Sequence, residues 1–485
     1  MDISSFDYKN IYKFFLEISN VPRGSGHNEK INGYLVNFAR SNNLEYYTDK
    51  ALNVLIKKPA SKGYENTDAV IIQGHMDMVC LCADGYSHDF TNEPLKLKTE
   101  TVNGIDYICA DGTTLGGDDG IAVAMGLALL SDANLKAPAI ELLLTTDEET
   151  SMVGAHEFDY SKLSGTKLIN IDSEEDGTVI SGCAGGMSVN GYIDIERSVK
   201  NGAKFSISIT SLLGGHSGEM IGLYRTNANI LMGRLLMSLK RDIGFSILSV
   251  RGGLKDNAIP DSCGAELVVG SESIENFKSL FKDITGILSK ELSDSEPALK
   301  FSCDSDGKIM DYSCLNDESA NKAVFILNNA PDGVQVMSHS TPGFVESSLN
   351  LGIIDSDEKT VYFKYLIRSS KQTYIDYISD KLAVLFFSAA GDMEIAGSYE
   401  PWEFCEKSPL RDLYIRKYTG ITGSAPKVKT IHAGLECSIF AKKLPMLDII
   451  SIGPDILDIH TPKERLNIAS GIHVYKILEA MLEAM

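Results

Sequence analysis

One arrangement recurs along this chain and narrows what it can fold into: a short apolar run that ends in a carboxylate or an imidazole. Residues 69–73, Ala-Val-Ile-Ile-Gln, read as a buried strand, and His75 and Asp77 come just past its end in "IIQGHMDMVC". Four further segments repeat the arrangement at strand-to-loop or loop-to-helix junctions. They are "LGGDDGIAVA" with Asp118 and Asp119, "TTDEETSMVGAH" with Glu148 and Glu149, "INIDSEEDG" with Asp172, and "DIHTP" with His460. Each alone has an ordinary explanation. Paired aspartates at a helix start cap it and meet its dipole. Paired glutamates before a turn form a solvated face, and a histidine ahead of Thr-Pro can simply end a strand. Together they call for an open sheet, in which adjacent strands deliver their trailing loops to the edge where ligands bind.

His75 and Asp77 stand two apart, so on extended backbone they share one side. A carboxylate placed there accepts a hydrogen bond from the imidazole and fixes its tautomer, as carboxylates behind metal-bound histidines do.

From about residue 50 to 182, strand patterns alternate with helical ones. The 69–73 strand is followed by the helix-like "GIAVAMGLALLSD" and by strands in "AIELLLTTDEE" and "KLINIDSEEDG". This predicts an α/β fold, a mixed sheet flanked by helices. Two amphipathic helices within 7–41 precede it, joined by the turn-rich "VPRGSGHNE". Near 185 the character changes. "FSISITSLLGG" alternates with period two, Ile274, Phe277, Phe281, Ile284 and Leu288 mark an amphipathic helix, "KTVYFKYLIRSS" reads as a strand and "YIDYISDKLAVLFFSAA" as a helix. After "AGSYEPW" the first style returns, with a helix near 409–418, a strand in "PMLDIISIG" and a C-terminal helix in "GIHVYKILEAMLEA". The expected division is a catalytic domain built from 1–185 and 398–485, with an α+β domain, 186–397, inserted as a lid.

The totals exclude several classes of function. A hydrophobic share of 44% and a charged share of 23% suit a soluble globular chain. The net charge of −21 argues against a general affinity for nucleic acid or anionic membrane, which rests on Lys and Arg. No apolar run approaches the roughly 20 residues of a membrane span, and no secretory signal is visible at the N-terminus. Nine cysteines lie scattered without a CxxC pair, so they read as reduced thiols of a cytoplasmic protein.

Carboxylates and imidazoles without thiolate suit Zn, Co or Mn. Two divalent ions about 3.5–4 Å apart share a carboxylate and make hydroxide available at neutral pH. A further carboxylate left unligated is free to move a proton.

The succession HxD, GGDDG, DEE, INxDSEEDG, GGHSG and IHTP resembles the co-catalytic zinc exopeptidases, the family of peptidase T, carnosinases and carboxypeptidase G. The longer strings "CADGTTLGGDDGIAVA", "NIDSEEDG", "GCAGG", "NAIP" and "HAGLECSIF" are similar to its aminoacyl-histidine dipeptidase subgroup, over nearly the whole chain. The resemblance implies two divalent ions, zinc first with cobalt or manganese as alternatives. It implies that His75 and Asp172 hold one ion, Glu149 and His460 the other, and that Asp118 bridges both. Asp77 then orients His75, and Glu148 is the general base for attack by metal-held hydroxide. His216 of "LLGGHSGE", on the inserted domain, polarises the scissile carbonyl, and Asn257 and Arg368 bind substrate. The roles of His432 and Glu436 in "HAGLE" stay open, as does a homodimer.

Two departures from the family pattern fall elsewhere. Tyr224, Arg225 and Thr226 stand where a glycine-rich run is expected, and "CSIF" lacks the glycine expected after its cysteine. The expected activity is hydrolysis of Xaa-His dipeptides. The alternatives are a related hydrolase of other small peptides or N-acyl amino acids, and a catalytically silent binding protein on the same fold. A two-metal phosphoesterase would need a cationic cluster that these motifs lack.

Overall fold

In sequence, one structural unit interrupts another. The computed structural model describes residues 3–339 and 343–485. Its first unit comprises Met1–Gly182, Phe404–Thr430 and Leu435–Met485, and its second comprises Cys183–Glu403 with Ile431–Gly434. The expected edges at 185 and 397 differ from these. Trp402 returns to exchange two backbone hydrogen bonds with Cys183, at 2.9 and 3.1 Å, which carries the second unit on to 403. The Ala184 amide donates to the Ile431 carbonyl at 3.0 Å, which ties 431–434 to the same unit. Composition marks neither return.

The first unit holds an eight-stranded mixed sheet. Its four central strands, Ile140–Thr145, Val70–His75, Lys167–Asn170 and Asp448–Ser451, lie side by side and parallel. Every residue of the first two is buried, which explains why apolar residues cluster in them in place of strict alternation. Helix Gly117–Ser131 packs on the sheet and is buried from Gly117 to Leu130. Burial on all sides dictates its small and aliphatic composition. Gly126 faces Leu142 so closely that a Cβ there would meet it. Helix Ile11–Ser19 covers this helix with Ile11, Phe14, Phe15 and Ile18.

Two strands not foreseen, Leu97–Val102 and Ile105–Ala110, stand between the His75 strand and that helix. They form a four-stranded sheet with Arg465–Asn467 and Ile456–Leu457. The sequence Leu-Lys-Thr-Glu-Thr-Val of the first is polar and no residue of it is fully buried, so it carries little apolar signal.

The second unit is a ten-stranded sheet with helices Ala228–Asp242, Ile274–Glu291, Asp317–Asn329 and Gln372–Ser388, and it has a core of its own. Helix Ile274–Glu291 buries Phe277, Phe281 and Leu288 of the expected stripe together with Thr285, while Ile274 and Ile284 are only partly buried. Among the described residues, no helix is long and apolar enough to cross a membrane.

Candidate active site

The central parallel strands end on one edge, and the donors collect there. His75 is the last residue of its strand, where the sequence suggested a position just past it. Its Nε2 lies 3.1 Å from Asp118 Oδ1 and 3.5 Å from Asp172 Oδ1. His460 Nε2 lies 3.1 Å from Asp118 Oδ2 and 2.9 Å from Glu149 Oε2. The two oxygens of Asp118 therefore face two different histidines, each with one more carboxylate beside it. Ligand atoms of His75, Asp118 and Glu149 lie within 4.8 Å of one another, as do those of His75, Asp119 and Asp172.

The charge balance reflects this crowding. Burial alone would neutralise His75, yet Asp118 and Asp172 raise its proton affinity well above the ordinary value. The carboxylates of Asp118 and Glu149 push His460 up to about 11. Burial lifts Asp172 to about 6. Asp118 goes the other way against its burial, because both histidines hold it far below the usual carboxylate range. Three carboxylates around two imidazoles make a surplus of negative charge that two divalent cations would offset. With only nitrogen and oxygen donors, the set fits Zn, Co or Mn.

Asp77 lies behind His75. Its carbonyl stands 3.2 Å from His75 Nδ1 and its carboxylate 3.6 Å. That carboxylate also accepts Ser25 Oγ at 2.8 Å and the Glu148 amide at 3.2 Å. Against the pull of burial, His75 and these bonds hold Asp77 below its ordinary range. Glu148 opens the short helix Glu148–Ser151. Burial raises its carboxyl well above the usual value, and the charges of Asp172, Glu436 and Glu149 add to this against His75. A carboxyl beside the donors, with its proton affinity raised, suits the uptake and return of a proton.

Several supports were not foreseen. Asp119 is 1% exposed and its Oδ2 accepts the His75 amide at 3.1 Å. Gly74 leaves room for this contact, since a Cβ there would collide with the Asp119 carboxylate and lie 2.5 Å from Ala122 Cβ. Arg23 is buried and donates to the carbonyls of Met76 and Asp77 at 3.2 and 3.1 Å. Glu464, 3% exposed, gathers backbone amides of the GGDDG turn. The only sequence signal for either was a charged residue inside an otherwise tight loop.

Glu436, left open from sequence, is fully buried. Its Oε2 accepts Gln73 Nε2 and Thr145 Oγ1, both at 2.6 Å, and Gln73 Oε1 accepts Asn170 Nδ2 at 2.6 Å. Gln73 and Asn170 each stand two residues before a predicted ligand, so Glu436 braces the strands that carry His75 and Asp172. Burial pushes it up to about 8.

The second unit gathers the other predicted residues. His216 pairs with Ala258 across a two-stranded ribbon, and the Asn257 carbonyl accepts the Ser217 amide at 2.8 Å. Arg368 is 6% exposed and donates to Tyr399 Oη at 2.8 Å. His432 Nε2 meets Ser348 Oγ at 2.7 Å. Burial, with the charges of Arg368 and His216, lowers His432 to about 3, so it is neutral at physiological pH.

Comparison with known proteins agrees with this geometry. The model of Peptidase family M20/M25/M40 matches residues 71–484. The cytosol non-specific dipeptidase of Escherichia coli is 34% identical over 484 residues, 99% of each chain. The crystal structure of aminoacylhistidine dipeptidase from Vibrio alginolyticus superposes with a TM-score of 0.88 at 33% identity, covering 100% of this chain and 98% of that one. Aminopeptidase PepT from Bacillus cereus shares the fold at 15% identity, with a TM-score of 0.56 over 99% of each chain. On these grounds the chain belongs to peptidase family M20/M25/M40.

Proposed function

We propose that this chain is a dinuclear metal-dependent dipeptidase of the cytoplasm, with Xaa-His dipeptides among its substrates and zinc as its metal. The observation that carries the reading is Asp118, whose two carboxylate oxygens each stand 3.1 Å from a different histidine. The names of its relatives, a cytosol non-specific dipeptidase and an aminoacylhistidine dipeptidase, support the substrate class. The nine cysteines are thiols, not joined in disulfides, in keeping with a reducing compartment.

In this reading His75 and Asp172 hold one ion, Glu149 and His460 the other, and Asp118 both. Two divalent ions supply Lewis acidity toward the scissile carbonyl and lower the pKa of water. The chain does the rest. Asp77 keeps His75 turned with Nε2 toward the donors. Glu148 takes the proton of the attacking water and delivers it to the leaving amine. His216 polarises the scissile carbonyl, and Asn257 and Arg368 hold the substrate, Arg368 through its guanidinium to the terminal carboxylate. The second unit acts as a lid. Helix Gln372–Ser388 exposes Tyr377, Val384 and Phe387, a face on which a homodimer would form.

The test is hydrolysis of a panel of dipeptides, tripeptides and N-acyl amino acids, before chelation, after it, and after readdition of single metals. Cleavage of dipeptides alone, lost on chelation and restored by zinc with two ions bound per chain, is the expected result. Preference for N-acyl amino acids would reassign the substrate, and activity that survives full chelation would overturn the mechanism.

A further inference from the structure

A cavity of about 450 Å³ opens beside Glu149, and the "VPRGSGHNE" loop that the reaction leaves unused forms one wall of it. Gly24 and His27 come from that loop, Met78 and Val79 come directly after Asp77, and Phe90 closes the far side. All these residues belong to the first unit. The volume is that of a small-molecule cleft.

The walls are fixed by contacts already made. Ser25 is bonded to Asp77, and the Gly26 amide and Asn28 Nδ2 donate to Asp147 Oδ1 at 2.6 and 2.8 Å. Gly24 lies so close to Cys80 that a Cβ would fall 2.5 Å from its sulfur. Phe90 stands edge-on to His88, ring centroids 4.7 Å apart, and Lys30 Nζ holds the carbonyl of the next residue, Thr91, at 2.6 Å. The shape is thus set before anything enters, and little ordering entropy is lost on binding.

Its chemistry is as definite. Val79 and Phe90 are only partly buried, so apolar surface faces the opening. Neither Lys nor Arg lines the cavity, and its one carboxylate, Glu149, is directed at His460. An acidic side chain would meet no Lys or Arg there, and a basic one no carboxylate that is not already engaged. An apolar occupant gains contact area at no electrostatic cost.

We propose that this cavity is a specificity pocket for one side chain flanking the scissile bond, and that it selects an uncharged apolar or aromatic one. The inference rests on the dipeptidase reading. Glu149 is both a wall of the cavity and a predicted metal ligand, so in that reading the cavity adjoins the place where the carbonyl reacts.

The experiment compares kcat/KM of the metal-loaded protein for Ala-Ala, Leu-Ala, Ala-Leu, Glu-Ala and Ala-Glu, in the wild type, in Val79→Trp, which narrows the cavity, and in Phe90→Ala, which removes an apolar wall. In the wild type, Leu at one position is preferred over Ala and Glu there, and that position identifies the side chain held. Both variants lower the ratio of that Leu dipeptide to Ala-Ala by about tenfold or more, the scale on which apolar pockets discriminate. Ratios unchanged in both variants at full metal content would overturn the pocket and leave the dipeptidase reading standing. A wild type that cleaves Ala-His but none of the five would overturn the pocket alone, and one that cleaves neither would overturn that reading and the pocket with it.

Discussion

Arg23 and Glu464 hold one turn from opposite sides. The Arg23 guanidinium donates to the Gly116 carbonyl, and the Glu464 carboxylate accepts the amides of Leu115, Gly116, Gly117 and Asp118 at 2.7–3.3 Å. The turn so held carries Asp118, whose two oxygens must face in two directions at once.

Glu464→Ala removes the acceptor of four buried amides and one of the three carboxylates whose charges act on buried Arg23. We expect a loss of about 3–5 kcal/mol of stability, since each buried donor left without an acceptor costs about 1–3 kcal/mol. Metal affinity falls about 10–100-fold, the usual effect of losing support behind ligands. Denaturant unfolding and competition with a chromophoric chelator measure the two. Wild-type metal affinity in a folded variant would show that the turn keeps its shape unaided.

Glu148→Ala separates proton transfer from metal binding. Turnover drops by at least about 10²–10⁴-fold with two metals still bound. Asp118→Ala behaves differently and loses metal, since it removes a donor from both halves of the site. Metal analysis beside steady-state kinetics makes the comparison, and near-normal turnover in Glu148→Ala would exclude Glu148 as the base.

His216→Ala should lower kcat by roughly 10²–10³-fold, the effect of deleting one donor to a developing oxyanion. Metal content and fold stay as they were. KM need not rise, because the contact strengthens in the transition state. An unaltered kcat counts against the assignment, and so does a lost metal ion.

Asp332 gives the second unit a pH dependence of its own. Its Oδ1 accepts the Leu351 amide at 2.9 Å and Asn227 Nδ2 at 3.1 Å, but burial pushes the carboxyl up to about 7. The folded state thus binds this proton more tightly than the unfolded chain does. Its contribution is fully present below the ordinary carboxylate value near 4 and is lost as pH rises through about 7. Asp332→Asn keeps an acceptor oxygen and removes the charge. Its stability relative to wild type should improve by about 2–4 kcal/mol between pH 4 and pH 8, on the scale of 1.36 kcal/mol per pKa unit. Parallel unfolding curves of the two proteins across that range would contradict it.

Reach decided which features were legible in the sequence. His75, Asp118, Glu148, Asp172 and their neighbours stand at the ends of apolar runs, and a local pattern placed them at one sheet edge. The helix at 274–291 was legible for the same reason, because its stripe repeats within its own length. Arg23 and Glu464 act on backbone atoms 93 and up to 349 residues away, and no periodicity connects them to the turn they hold. Asp119 looked like a cap beside Asp118, but it bonds the His75 amide on another strand. The hairpin at 97–110 escaped notice because its first strand alternates between half-exposed and exposed positions.

Helix Gly117–Ser131 carries Asp118 in its first turn and is buried for nearly all its length. Amides in such a helix exchange with solvent only when the whole unit opens. Asp118, placed between His75 and His460, is thus fastened to a segment expected to be among the last of the first unit to open. A site carried on loops would dissolve into an ensemble once its ions left. This one keeps its donors aimed, so an arriving ion finds a mould already cast by the folding of the core.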